Sequence, residues 1–489
     1  MTSDLDKDLK AIQQARRLAE RCREAQREFA KASSATVNAV CEAVSEASFK
    51  AARRLADMAH EETGYGNADH KVLKNEFAAR NVWESIRDVP TVGVIERDES
   101  KKMLVIAEPM GVVAALTPST NPTSTAIFKS LIALKGRNGI VLSPHPSAAK
   151  CTAEAVDIIA RAAEGAGAPR GLVSCLDGSS YSGTQELLRH YAVNVILATG
   201  GGPMVRAAHS TGKPAYGVGP GNVPAWVDRS ADIAKAARDL VNSKSFDCSL
   251  ICATEQAVVA DEPIAAELRS RMEEQGAYWV PEAYHQKLAA TLFHPDGGIN
   301  ARSVGQTAAA LAGAVGMEIP AGTCVLVAPL GGIGKDHPLS REKLTSVLGF
   351  MTARDAQAGL DLCVKILRFG GDGHSAVIHS RDATQTEAMA AQLPAFRIIV
   401  NSMSTLGSIG STCRFVPSLT LGTGGMGGAI VGDNITVTHL INRKRVAWEV
   451  ESPPASVGRP GAAAIKREPS VDEIVAQVLA RLGRMPVQA

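Results

Sequence analysis

Between about residues 110 and 240 the chain alternates short β-branched runs with helical stretches, and no other feature narrows its fold as much. "GVVAALTP" (111–118), "GIVLSP" (139–144), "RGLVSCL" (170–176), "NVILATG" (194–200) and "VPAWVD" (223–228) read as strands. Residues 123–137, 147–167 and 180–192, between them, read as helices. Strand–helix–strand order predicts a parallel sheet with helices on both faces. Ligands of such sheets sit outside the C-terminal strand ends. A second α/β block runs from about 241 to 420, with strands expected near "EQAVVA" (255–260), "CVLVAP" (324–329), "SAVIHS" (375–380) and "RIIVN" (397–401). With 489 residues the chain exceeds one compact core, so two or three domains are expected.

Residues from about 5 to 88 read as helices, rich in Ala, Arg and Glu with apolar positions at helical spacing. A hairpin is expected over 91–107, around the polar turn Asp98–Ser100. The segment 429–450 alternates like sheet once more. The expected organisation is therefore a first domain at 1–240 carrying the hairpin, a second at 241–425, and a short strand segment at 426–450. Residues 452–468, rich in Pro, Gly and Ala, read as a flexible linker. An amphipathic helix is expected at 469–484, with Ser470 as N-cap and Gly483 as stop. Its apolar stripe is Val471, Ile474, Val475, Val478, Leu479 and Leu482.

Aromatic residues are only 4% and the net charge is +2 with acids and bases interspersed, which argues against nucleic acid as a partner. Apolar runs break well short of the roughly 20 residues a membrane span needs, and the N-terminus lacks a signal-peptide pattern. Nine scattered cysteines without a C-x-x-C pair read as free thiols in a reducing cytoplasm, and no metal site is expected.

One stretch draws the chemistry to itself. "SFDCSLICATEQ" (245–256) places Cys248 and Cys252 four residues apart, after a helical stretch, before a strand and at the expected domain boundary. A buried cysteine is ordinarily a small core hydrophobe, but a thiol in a cleft between two α/β domains is well placed as a nucleophile.

Residues 111–148, "ILATGGGPMVRAAHSTGKPAYGVGPGNVP" (196–224), "SFDCSLICATEQ", "FGGDGHSA" (369–376), "RIIVN" and "PSLTLGTGG" (417–425) with "HLINRK" (439–444) together resemble the CoA-acylating aldehyde dehydrogenases. They are most similar to the aldehyde dehydrogenase half of bifunctional acetaldehyde–alcohol dehydrogenases, in the family's order and over about residues 10–450. One Gly-rich loop alone is weak, whereas an ordered set is strong. The resemblance implies a Rossmann-type cofactor domain, an α/β catalytic domain and a small bridging sheet that pairs subunits into a dimer or tetramer. It makes Cys252 the nucleophile, which adds to an aldehyde and passes through a thiohemiacetal to a thioester. Asn121 is implied as the oxyanion donor together with the backbone N–H of Cys252. His374 is implied to position or deprotonate the CoA thiol, with a structural histidine as the alternative. Cys248 stands where relatives usually have Asn, and reads as a thiol lining the loop.

For NAD, Leu116, Thr117, Pro118, Ser119 and Thr120 lie between a strand end and a helix start, where backbone N–H groups meet phosphate or ribose oxygens. Gly200 and Gly201 offer a second such place, with Gly219 nearby, and Glu342 resembles the family's nicotinamide-ribose ligand. Hydrolytic relatives carry a Lys in the turn that here contains Ser143 and His145, and its absence favours NAD over NADP. They also carry a Glu in an E-L-G-G-K motif that activates water. The matching stretch here, Gly217–Asn222, has none. Without a placed base water is a poor nucleophile at neutral pH while a thiol is partly ionised. Coenzyme A is therefore the expected acceptor.

Acetaldehyde and propionaldehyde are the first substrates implied. Sulfoacetaldehyde, a hydrolytic dehydrogenase and an inactive scaffold remain as alternatives. The C-terminal helix has two readings: it folds back on its own domain, or it docks its apolar face on a shell protein as an encapsulation peptide and carries the enzyme into a bacterial microcompartment.

Overall fold

A computed structural model describes residues 6–177, 180–451 and 470–482. The N-terminal helices form as expected: α1 (Lys7–Phe29), α2 (Ser34–Lys50), α3 (Ala52–Thr63), α4 (Ala68–Glu76) and α5 (Val82–Ile86). A π-helical turn at Phe77–Asn81 joins the last two. Side chains of Asp6, Ser33 and Asn67 cap α1, α2 and α4, satisfying N–H groups the helices leave unpaired. β1 (Gly93–Asp98) and β2 (Met103–Pro109) form the hairpin.

β3 (Val112–Leu116), α6 (Pro122–Lys135), β4 (Gly139–Ser143), α7 (Ala149–Gly165), β5 (Val173–Cys175), α8 (Tyr181–Arg189), β6 (Val193–Thr199), α9 (Gly202–His209) and β7 (Ala215–Val218) follow. They wind a parallel sheet in the order β5-β4-β3-β6-β7. β3 and β4 are buried at every residue, as strands covered on both faces must be. α6 is buried all round, with Pro122 at its first position, where a missing N–H costs nothing. Its Lys129 ammonium, inside the core, donates to the carbonyls of Leu116 (2.6 Å) and Leu197 (2.9 Å) and so ties together the ends of β3 and β6.

The second block contains β8 (Val223–Val227), α10 (Ile233–Ser245), β9 (Glu255–Asp261), α11 (Ala265–Glu274), β10 (Ala277–Trp279), α12 (Glu282–Leu292), α13 (Ala308–Val315), β11 (Val325–Pro329), β12 (Val347–Ala353), α14 (Ala356–Arg368), β13 (Gly373–His379), α15 (Ala383–Ala390), β14 (Ala395–Val400) and α16 (Ser404–Gly407). Its sheet runs β10-β11-β12-β9-β8-β13-β14, all parallel. β8 departs from the boundary expected at 240, because it pairs with β9 and β13 in this second sheet. The chain therefore crosses between sheets at residues 219–222.

The strand pattern expected over 426–450 is a strand only at β15 (Ile441–Ala447). Upstream, in a stretch with glycines at 422, 424, 425, 427, 428 and 432, pairing is limited to an antiparallel bridge between Leu421 and Asn434 and the backbone bonds beside it. These include Gly422 N–H to Asp433 C=O (3.0 Å) and Gly424 N–H to Val431 C=O (2.8 Å). Ile435, Val437 and Leu440 instead bury into the core of the first sheet, the last two from a 3-10 turn over Val437–Leu440. A side-chain capping box between Thr436 and His439 holds that segment. β15 joins the hairpin in a three-stranded sheet, β1-β2-β15.

Of the described residues, 96–105, 445–451 and 470–482 are grouped as a unit of their own. Within it, α17 (Val471–Leu482) starts where expected. Glu473 N–H donates to Ser470 Oγ (3.3 Å), and Ser470 N–H donates to Glu473 Oε2 (2.7 Å). Val471, Ile474, Val475 and Val478 of its stripe are exposed. The linker at 452–468, Gly483 and the side chains of Leu479 and Leu482 lie outside the described residues. All nine cysteines are unpaired. Among the described residues no helix is long and apolar enough to cross a membrane.

Candidate active site

A cavity of about 430 Å³ opens beyond the C-terminal ends of the first sheet's strands and is lined by Pro118, Ser119, Thr120, Asn121, His145, Gly200, Gly201, Gly219, Cys252 and Glu342. A smaller one of about 140 Å³ shares Pro118, His145, Gly200 and Gly201 and adds Leu116, Thr117 and Ser143. The residues expected at the cofactor site thus line two contiguous cavities, and His374 reaches the larger one through Cys252.

The loop bearing Cys252 is bent sharply. Asp247, Cys248 and Ser249 have φ of 46°, 51° and 65°, three consecutive non-glycine residues in the left-handed region. Such residues cost about 1–3 kcal/mol each and persist only where surroundings over-determine them. Here Asp247 does this work. Its carboxylate accepts from Asn67 N–H (2.7 Å), Lys71 Nζ (3.2 Å) and Lys74 Nζ, and its N–H donates to His70 Nδ1 (2.8 Å). The His70 ring stacks on Phe246 at 4.7 Å. Cys248 is buried on this bend and does not line the cavity, whereas Cys252 does.

Cys252 Sγ lies 3.2 Å from His374 Nε2. Burial pushes the thiol up to about 12; the carboxyl of Glu342 adds to this, and Arg397 and the N–H groups of Cys252 and Ala253 oppose it. Burial, helped by the charge of Arg397, pushes the His374 imidazole well below its ordinary range. The resting pair is therefore a neutral thiol beside a neutral imidazole. His374 Nδ1 faces Ser375 Oγ (3.1 Å), a hydroxyl to which Arg397 Nε donates (3.3 Å). With Nδ1 carrying the proton, Nε2 is left as acceptor for the thiol proton. The Arg397 guanidinium, 1% exposed, also donates to the carbonyls of His374 (2.7 Å), Gly422 (2.6 Å) and Gly432 (2.8 Å), fixing the backbone beneath the histidine.

Gly221 lies against this pair. A Cβ there would stand 2.2 Å from the Cys252 carbonyl oxygen and 3.1 Å from the His374 ring, so the backbone itself closes that side. Gly221 N–H donates to Glu342 Oε1 (2.9 Å). Glu342 belongs to an irregular segment before β12, not to a helix start, and burial raises its carboxyl to about 7. Asn121 stands at the N-cap position of α6, but its side chain turns away from the helix: its N–H donates to Leu250 C=O (3.1 Å), two residues before the nucleophile, and its Oδ1 accepts from Lys74 Nζ (2.6 Å).

A dinucleotide fits this donor set. No side chain caps the first turns of α6 and α9, so their N–H groups face the cavities unpaired by a cap. A Cβ at Gly219 would meet nothing within 4 Å, so that stretch leaves open space. The sequence patterns did not single out Lys74, Asp247, Gly221 or Arg397, although Asp247, Gly221 and Arg397 stand inside quoted motifs. For Asp247 and Arg397 the one signal is a charged residue in an otherwise apolar or small-residue stretch.

A thiol paired with a neutral imidazole, at the strand ends of two parallel sheets and beside the cavities lined by the expected cofactor residues, gives this α/β chain the site of a cysteine-nucleophile protein. The chain belongs to the aldehyde dehydrogenase family, whose sequence profile matches residues 8–281. It is 44% identical over 401 residues to an aldehyde-alcohol dehydrogenase of Streptococcus pneumoniae, a match covering 80% of this chain and 45% of that protein. The chain thus spans about half the length of the curated relatives it first matches. Among solved structures it is similar to an acetylating aldehyde dehydrogenase from Geobacillus thermoglucosidasius, with a TM-score of 0.91, 48% identity and coverage of 92% of this chain and 99% of that one. A propionaldehyde dehydrogenase from the Clostridium phytofermentans fucose utilisation bacterial microcompartment matches with a TM-score of 0.80, 30% identity and coverage of 88% and 96%. One from Rhodopseudomonas palustris, with bound CoA and an acylated cysteine, matches with a TM-score of 0.81, 28% identity and coverage of 89% and 97%.

Proposed function

We propose that this chain is a CoA-acylating aldehyde dehydrogenase that converts a short aldehyde, acetaldehyde or propionaldehyde, to its acyl-CoA with NAD, reversibly. The observation that carries this reading is the wall around Cys252: its neighbours are an imidazole and the backbone of Gly221, and among the described residues Glu342 is the one carboxyl lining the cavity. With Glu342 committed to the nicotinamide ribose, no carboxylate is left to activate water, and His374 is the one base beside the sulfur, where a thiol, the more acidic and more nucleophilic acceptor, wins over water.

Attack begins as the Cys252 thiol proton passes to His374 Nε2 while sulfur bonds to the carbonyl carbon. The resulting oxyanion takes the side-chain N–H of Asn121 and the backbone N–H of Cys252; losing one such donor costs about 3 kcal/mol. Bound nicotinamide supplies the hydride acceptor, held by Pro118–Thr120, Gly200, Gly201 and Glu342. His374 releases that first proton to solvent; the Cys252 thioester then yields its acyl group to the CoA thiol, whose proton passes by way of His374 to the departing Cys252 sulfur. NAD is favoured over NADP because no Lys or Arg lines the smaller cavity among the described residues. A sulfonate substrate is disfavoured because the larger cavity likewise has none.

The exposed β15 strand supports assembly as a dimer or tetramer. The capped α17 helix with its exposed apolar residues, together with the microcompartment neighbour, supports the encapsulation reading, with a shell protein as partner and the enzyme cytoplasmic or microcompartment-enclosed.

NADH formation over a panel of aldehydes, with and without CoA, tests the activity. CoA-dependent turnover with acyl-CoA as product is expected; full-rate carboxylic acid formation without CoA overturns the proposal.

A further inference from the structure

We propose that Lys74 is a positioning residue for the oxyanion site, locking the Asn121 amide with its N–H end toward the nucleophile loop. This rests on the reading of Asn121 given above. Lys74 lies on α4, only 2% exposed. Its ammonium donates to Asn121 Oδ1 at 2.6 Å and to Asp247 Oδ2, the carboxylate of the first left-handed residue in the loop.

An asparagine amide has two ends of nearly equal shape, so packing alone selects neither. An ammonium has only donors, so the end facing Lys74 must be the oxygen. The amide nitrogen is thereby turned to the other side, where its N–H groups meet the Leu250 carbonyl and Thr120 Oγ1, both at 3.1 Å; on the reading above, the oxyanion of a Cys252 adduct displaces one of these two acceptors. Holding Asp247 in place does not account for this contact: Lys71 and the Asn67 N–H already serve that carboxylate. The bond to Asn121 is a separate commitment of the same ammonium. It links the oxyanion donor to the bend that aims Cys252. Gly66 leaves the space, since a Cβ there would stand 2.0 Å from Asp247 Oδ1.

The test compares Lys74→Met, Lys74→Gln, Asn121→Ala and the double variant Lys74→Met/Asn121→Ala in the full chain. Lys74→Met should lower kcat by about tenfold to a hundredfold, below the loss from deleting the donor itself, with KM for NAD and CoA changed less than about twofold. Iodoacetamide alkylation of Cys252 should be unchanged, because displacement at a saturated carbon builds no oxyanion. On the Asn121→Ala background the Lys74→Met change should cost less than about twofold, since a residue acting through another is non-additive with it. Lys74→Gln, which keeps a donor for Oδ1, should recover most of kcat, and it carries the test if the Met variant does not fold. Multiplying losses, alkylation falling in step with kcat, or a Gln variant as slow as Asn121→Ala overturns the proposal. A wild-type rate for Asn121→Ala overturns the oxyanion reading beneath it.

Discussion

Cys252 Sγ and His374 Nε2 face each other at 3.2 Å as a neutral pair, although they stand 122 positions apart in sequence. Because burial holds the thiol near 12, thiolate is scarce in the unliganded protein and must be made during attack. Alkylation of Cys252 by iodoacetamide, followed on its peptide by mass spectrometry, should still rise at pH 10. A plateau reached near pH 7 would instead show a preformed thiolate–imidazolium pair. His374→Ala should lower kcat by about a hundredfold or more, the usual reach of general acid–base catalysis.

Gly221 brings its backbone hard against that pair. Gly221→Ala must push the Cys252 carbonyl or the His374 ring, since the new methyl would stand 2.2 Å from the former. Displacements near 1 Å cost on the order of a hundredfold in rate. The measurement is kcat beside the melting temperature: kcat should collapse while the fold survives, and unchanged turnover would refute the close contact.

Cys248 occupies a left-handed backbone position, φ 51°, which Asn tolerates better than Cys. Cys248→Asn should keep activity and raise stability by up to about 1 kcal/mol, read by denaturant midpoint. Loss of activity would mean that this thiol takes part in the chemistry.

Glu255 is fully buried and burial raises its carboxyl to about 7, against hydrogen bonds from Ser243 and the Ser404 N–H. Below its unfolded pKa of 4.5 both states hold the proton, and the group is silent. Between that value and about 7 only the folded state keeps it, so stability falls as pH rises and levels off above. The whole effect is about 3 kcal/mol at most. Glu255→Gln should flatten that decline; an unchanged slope of unfolding free energy against pH would refute it.

Much of the architecture was legible in the sequence because β3, β4, β6, β9 and β11 are apolar runs between helical stretches. β10 is three residues long and β12 carries Gly349, so neither shows a clear strand pattern. Both blocks share one rhythm, so the sequence could not say that β8 joins the second sheet. The site was half legible. Loop motifs pointed to Cys252, Asn121 and the cofactor cavities, but α4 inverts the usual rule: Lys71, Lys74 and Asn75 face inward while Leu73 is 53% exposed. A buried amine is paid for only by partners far along the chain, and those partners are invisible to local pattern.

The backbone wall at Gly221 carries a consequence for timing. On the proposed function, the acyl group on Cys252 meets this backbone and one imidazole, with no carboxylate beside it to draw in water, so the thioester can wait without being wasted. Turnover is then metered by the supply of the second reactant, and an enzyme starved of it idles fully primed.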